Sequence, residues 1–195
     1  MAVTQAELFG PPTDLPPGFD YQPEFLTAHE EMVLLESIRT LTFQQATYRE
    51  WQARRRIVSY GGRYDFTHHA LGEAPPIPEF LHPLRERIAT WAGVAPSAIH
   101  HAMIAEYLPN TALGWHRDVP NFEQIMGISL AGRARMRLRP YPPKPGQRFT
   151  HALELAPRSA YAMRGVARWS WQHAISPTKE LRYSITFRTL RPGVS

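Results

Sequence analysis

A chain of 195 residues with 43% hydrophobic content is long enough to bury one good core and short for two. It contains no cysteine, which rules out disulfides, Cys-ligated zinc, iron–sulfur clusters and thiol nucleophiles, so any metal must be held by His, Asp or Glu. The formal charge is +5, with twenty Arg against two Lys (Lys144 and Lys179), and the planar guanidinium fork suits phosphates and carboxylates.

Residues 1–14 carry little apolar periodicity and read as a tail, with Pro11, Pro12, Pro16 and Pro17 breaking regular structure around its end. From 27 to 41, Met32, Leu34, Leu35, Ile38 and Leu41 recur at helical spacing between Glu30, Glu31 and Glu36, which predicts an amphipathic helix. The stretch from 43 to 66 mixes aromatics with arginines and ends near a Gly61-Gly62 turn, as a hairpin-rich surface segment would. Ala74-Pro75-Pro76-Ile77-Pro78 leads rigidly into a second helix, 79–91, with Phe80, Leu81, Leu84, Ile88 and Trp91 on its apolar face. From His100 onward the pattern is strands between turns, at 102–108, 112–118, 125–131, 133–139, 149–155, 159–164, 168–175 and 181–189.

Eight short strands after two helices predict a mostly β, α+β chain: a jelly-roll-like double sheet with helices packed on one face. The expected organisation is a single domain over 1–195, an N-terminal extension over 15–99 and a core over 100–191. No apolar run nears the roughly 20 residues that span a bilayer, and the N-terminus lacks the basic-then-apolar order of a signal peptide, so a soluble monomer of the bacterial cytosol is expected.

In Gly114-Trp115-His116-Arg117-Asp118, a strand would place His116 and Asp118 on one face, able to chelate a single metal. His173, in Trp169-Ser170-Trp171-Gln172-His173, lies on another strand-like run and offers a third ligand. Two imidazoles and one carboxylate make the facial set of non-haem Fe(II) oxygenases, with open positions left over. Adjacent pairs such as His68-His69 and His100-His101 chelate poorly, because neighbours on a strand point to opposite faces. In the last strand, Arg182, Ser184, Thr186 and Arg188 share one face and Tyr183, Ile185 and Phe187 the other, which reads as a polar pocket backed by core.

The order His116-x-Asp118, His173 and Arg182-Tyr-x-x-x-Phe-Arg188 resembles the AlkB family of oxidative dealkylases. Leu15-Pro-Pro-Gly-Phe19 with Pro23-Glu-Phe-Leu26 is similar to that family's N-terminal extension, and 165–173 to the segment ending at its second iron histidine. The resemblance implies a double-stranded β-helix using Fe(II), 2-oxoglutarate and O2, with His116, Asp118 and His173 as iron ligands. It implies further that Arg182 pairs with the distal carboxylate of 2-oxoglutarate, helped by Tyr107, and that Arg188 lies near the metal-bound end. Ala105 and Ser184 stand where the better-known members often have Asn; the Ser184 hydroxyl still offers one hydrogen bond.

The implied reaction is oxidative demethylation of alkylated bases in DNA or RNA. The segment 43–72 corresponds to the family's nucleotide-recognition lid, where Arg54, Arg55, Arg56, Tyr60 and Tyr64 would grip phosphates and stack on a base, with Trp115 as a further candidate contact. Arg133, Arg135, Arg137 and Arg139 also fall on one strand face, a row of like charges that a phosphate backbone or acidic neighbours would answer. Gln5-Ala-Glu-Leu8-Phe9 resembles the short peptides by which bacterial repair proteins hold the sliding clamp. Two alternatives stay open: the same chemistry on a protein side chain or small metabolite, and a non-catalytic nucleic-acid-binding domain.

Overall fold

The computed structural model describes residues 15–48, 51–61, 63–65, 70–72, 74–146 and 151–193. The clamp-like Gln5, Leu8 and Phe9 lie outside them. No helix among the described residues is long and apolar enough to cross a membrane.

The chain enters through β1 (Phe19–Gln22) and turns into α1 (Ala28–Arg39). Thr27 caps α1 by a capping box: its hydroxyl accepts from the Glu30 amide at 3.2 Å while the Glu30 carboxylate accepts from the Thr27 amide at 2.7 Å. Next come β2 (Gln44–Tyr48), β3 (Trp51–Tyr60), β4 (Arg63–Asp65) and β5 (Ala70–Gly72). A 3₁₀ turn over Glu79–Leu81 leads into α2 (His82–Ala92), which stops at Gly93, where the left-handed φ of 69° favours glycine. The remaining strands are β6 (Ile99–Tyr107), β7 (Leu113–His116), β8 (Phe122–Ala131), β9 (Ala134–Pro140), β10 (His151–Leu155) and β11 (Ala160–Met163). A short helix, α3 (Gly165–Trp169), precedes β12 (Trp171–Ile175) and β13 (Arg182–Leu190).

A seven-stranded sheet runs β1-β11-β8-β13-β6-β3-β2, and a four-stranded sheet runs β10-β9-β12-β7. The eight strands from β6 to β13 divide between them, and the paired strands are antiparallel, so the core is a double-stranded β-helix, as expected. The period of two explains the packing. Tyr183, Ile185 and Phe187 of β13 join Ile104, Ile128, Leu34, Ile38, Leu84 and Ile88 in a core beneath the two helices. Their alternates face the gap between the sheets, where Ile125, Met136, Leu138, Leu155, Tyr161 and Met163 form a second core.

Of the strand boundaries that differ from expectation, two bear on the site. The strand predicted over 112–118 ends at His116, so Asp118 belongs to the following loop. The strand predicted over 168–175 begins at Trp171, because 165–169 coils into α3. One side chain links the two departures: Arg168 Nη2 donates to the carbonyls of Asp118 (3.1 Å), Val119 (2.8 Å) and Phe122 (2.9 Å), which holds that loop outside the sheet. The predicted lid is also partly sheet, since β3 pairs with β6 and β2 with β3, extending the large sheet.

Candidate metal centre and cosubstrate pocket

His116 ends β7 and is the Cα partner of His173 on β12, so both rings enter the gap between the sheets. Their centroids are 4.1 Å apart, and His173 Nε2 is 3.8 Å from Asp118 Oδ2. One ligand atom from each of His116, Asp118 and His173 lies within 4.8 Å of the others, close enough to share one cation. His116 Nδ1 sits 2.9 Å from the Gly114 carbonyl, which only accepts, so Nδ1 carries the proton and Nε2 keeps its lone pair. Burial holds both imidazoles neutral, pushing His173 down to about 3 and His116 below its ordinary value. Burial alone would raise the Asp118 carboxyl; Arg188, foremost, together with His173, His116 and Arg168 more than offsets this and holds it well below the usual carboxylate range. Two neutral nitrogens and one carboxylate fit a divalent iron.

Arg188 directs its fork at the candidate ligand Asp118. Its Nε and Nη2 donate to Asp118 Oδ1 at 2.9 and 2.8 Å, and Oδ2 is the oxygen turned towards His173. Arg188 Nη1 lies 3.1 Å from Nδ1 of His101, its partner across β6. A guanidinium only donates, so that nitrogen accepts. His101 is buried and pushed down to about 3 by burial and then by Arg188, which keeps it the neutral acceptor this contact needs.

Arg168 acts on the same ligand through the backbone. The sequence signal for it was weak, because only the fold brings residue 168 to the carbonyls of 118–122. Arg168→Ala removes this shared donor from the three carbonyls, of which Val119 keeps the Phe122 amide at 3.2 Å, and is expected to cost about 2–4 kcal/mol of stability. Fe(II) affinity should fall about 10–100-fold, as for other outer contacts of a metal site. A urea titration and an anaerobic Fe(II) titration check the two effects.

Deeper in the gap lies Arg182, 1% exposed. Its Nε donates to Ser129 Oγ at 2.9 Å and its guanidinium stands 5.0 Å from the Tyr107 ring, while Nη1 is buried with no partner. A buried, half-satisfied guanidinium is costly unless an anion completes it, which fits the distal carboxylate of a dicarboxylate. Ser184 and Thr186 are buried beside it on the same face, and Ser184 is the Cα partner of both Ala105 and Ser129. Gly127 is required here: a Cβ would come within 2.3 Å of the Tyr161 ring, which lies across it. Burial pushes the Tyr161 phenol up to about 12, so it stays protonated.

The lid candidates separate by parity along β3. Arg55 is turned to the metal side: its charge acts on His116, and its Nε is buried with no partner. Arg56 goes to the helix side and binds Glu106, Nε to Oε2 at 2.6 Å. Tyr60 is buried in the helix-side core, Arg54 is exposed, and the Tyr64 side chain lies outside the described residues. Trp115, the neighbour of His116, takes the opposite face of β7 and packs against Arg137 and Arg139.

The family model of the 2OG-Fe(II) oxygenase superfamily matches residues 20–188. An Arabidopsis thaliana protein named alkylated DNA repair protein ALKBH8 homolog is 30% identical over 186 residues, covering 82% of this chain and 51% of its own length. The Mus musculus tRNA (carboxymethyluridine(34)-5-O)-methyltransferase ALKBH8 is 26% identical, over 85% of this chain and 25% of its own. The chain thus spans about half the length of the first relative and a quarter of the second. The solved structure of OsALKBH1 superposes with a TM-score of 0.76 at 15% identity, covering 91% of this chain and 99% of that one, a likeness of fold.

Proposed function

Because this chain belongs to the 2OG-Fe(II) oxygenase superfamily, as an AlkB-like 2-oxoglutarate-dependent dioxygenase using Fe(II), 2-oxoglutarate and O2, we propose that it removes alkyl groups oxidatively from nucleic-acid bases. Arg55 carries this reading: a cation beside the metal ligands, with a buried Nε that no described group answers, suits a phosphate next to the reacting base. The names of both relatives, one an alkylated-DNA repair protein and the other a tRNA methyltransferase, lend support.

His116, Asp118 and His173 hold the iron, and Arg182 takes the distal carboxylate of 2-oxoglutarate. When bound, iron, 2-oxoglutarate and O2 together supply the oxidation: one oxygen atom enters a C–H bond of the alkyl group, and the other leaves in succinate as carbon dioxide is lost. On an N-methyl base the product N–CH2–OH breaks its C–N bond, the hydroxyl proton passes to the ring nitrogen, and formaldehyde departs. The chain's own groups set the geometry. Arg188 fixes Asp118, Gly114 fixes the His116 tautomer, and Met136, Leu138 and Leu155 line an apolar gap that limits water.

The test compares N-methylated with unmethylated single-stranded DNA and RNA oligonucleotides. Methylated strands should stimulate succinate formation and release formaldehyde in equal amount. Equal succinate from both kinds of strand, with no formaldehyde, would move the chemistry to another substrate.

A further inference from the structure

The proposed function leaves the arginine row of β9 unused. Arg133 precedes the strand and pairs with Glu154 at 2.6 Å, so its charge is already answered. Arg137 and Arg139 behave differently. With Ala134, Met136 and Leu138 buried between the sheets, both point to the outer face of the small sheet and flank the Trp115 indole, 5.2 and 4.3 Å from its centroid. Arg139 Nε donates to Gln172 Oε1 at 3.0 Å, and Arg137 Nε is buried with no partner. Arg117, in the loop that carries Asp118, stacks 3.8 Å above the Tyr141 ring, and Tyr141 is 42% exposed. None of Arg117, Arg137 and Arg139 has a carboxylate within ion-pair distance among the described residues.

Three guanidinium groups with no carboxylate partner among the described residues, two against the Trp115 ring and one against the Tyr141 ring, form a surface for a polyanion that also carries flat rings. Its position narrows the partner further. β7 is the edge strand of the small sheet, and His116 and Trp115 stand back to back on it, so the strip begins one residue from the metal centre. We propose that this strip is a second nucleic-acid contact, which holds the phosphodiester backbone of the single strand whose base enters the metal site. It rests on the nucleic-acid reading above. Arg117 Nη1 donates to the Trp169 carbonyl at 2.8 Å and Arg139 Nε to Gln172, aromatic support keeps each fork extended at low entropic cost, and the N–H groups those bonds do not use can meet phosphate oxygens.

The experiment measures fluorescence anisotropy of unmethylated single-stranded DNA and RNA oligonucleotides against the full chain, as a function of salt. Each phosphate contact to a single strand contributes about 0.7 to the slope of log affinity on log salt. The double variant Arg137→Gln, Arg139→Gln should bind several-fold more weakly, with a slope shallower by about 1.4 in total. Arg133→Gln should change the slope by clearly less, because Glu154 already answers that charge, and Arg137→Lys with Arg139→Lys should restore most of the slope. Circular dichroism melting of each variant reports folding. If the parent chain binds the strands and the glutamine variant keeps both affinity and slope, this strip is overturned while the proposed function stands. If the parent chain binds neither DNA nor RNA, the strip falls together with the reading it rests on.

Discussion

His116→Ala is expected to abolish conversion of 2-oxoglutarate to succinate and to reduce Fe(II) affinity by more than the roughly 10–100-fold that an outer contact costs. The direction follows from the donor set, since two neutral imidazoles and one carboxylate leave no fourth protein ligand among the described residues to take over. The choice of His116 matters. Its ring is only partly buried and its described hydrogen bond is to Gly114 O, so truncation should leave the fold within about 1 kcal/mol of the parent. Asp118→Ala would be harder to interpret: it strands Arg188 as an uncompensated buried charge, at a cost of about 3–5 kcal/mol, and loss of activity could then reflect unfolding. Anaerobic Fe(II) binding and succinate assays on His116→Ala, with circular dichroism to confirm the fold, make the measurement. Retained turnover would remove His116 from the metal centre.

Arg182→Met should separate cosubstrate binding from stability. Truncating one partner of a buried, hydrogen-bonded charge pair costs about 2–5 kcal/mol, so apparent affinity for 2-oxoglutarate should fall by roughly 30-fold to several thousandfold. In the absence of cosubstrate the same change should be neutral or stabilising. The guanidinium is desolvated, burial lowers its pKa, and its Nη1 has no partner, whereas a Met side chain fills similar space without charge. A melting experiment reads both effects. The parent should gain stability with added 2-oxoglutarate, by about 2.7 kcal/mol at a hundred times Kd, and Arg182→Met should gain almost none at that concentration. A variant that keeps the ligand-induced rise would show that another group holds the distal carboxylate.

Much of this architecture was legible because period-two alternation is a local property. β13 showed its two faces in the order of its residues, and the eight core strands could be placed to within a few residues. Three features were not legible, each for a physical reason. Trp169, Ser170 and Trp171 alternate like a strand, but α3 coils where Arg168 can reach three carbonyls some 46 to 50 residues away. His101 sat in an adjacent-histidine pair that cannot chelate one metal, and its role depends on lying opposite Arg188 across a strand pair. For β3, alternation separates Arg55 from Arg56 and Tyr60, yet both faces carry mixed chemistry, so only the pairing with β6 shows which side meets the metal.

The back-to-back placement of His116 and Trp115 makes chain length before β7 a functional variable. A one-residue slip of this four-residue strand would turn the indole inward and the imidazole outward, exchanging the proposed iron ligand for an aromatic ring. The turn before β7 is anchored against such a slip. Asn110 donates its amide to Thr178 O at 2.7 Å, the Thr178 amide donates to Thr111 O at 3.0 Å, and the Thr178 hydroxyl donates to Leu108 O at 2.8 Å. Insertions or deletions between 108 and 112 should therefore be far less tolerated than exposed loops usually allow, because they reset the parity of the metal centre rather than the shape of a surface turn.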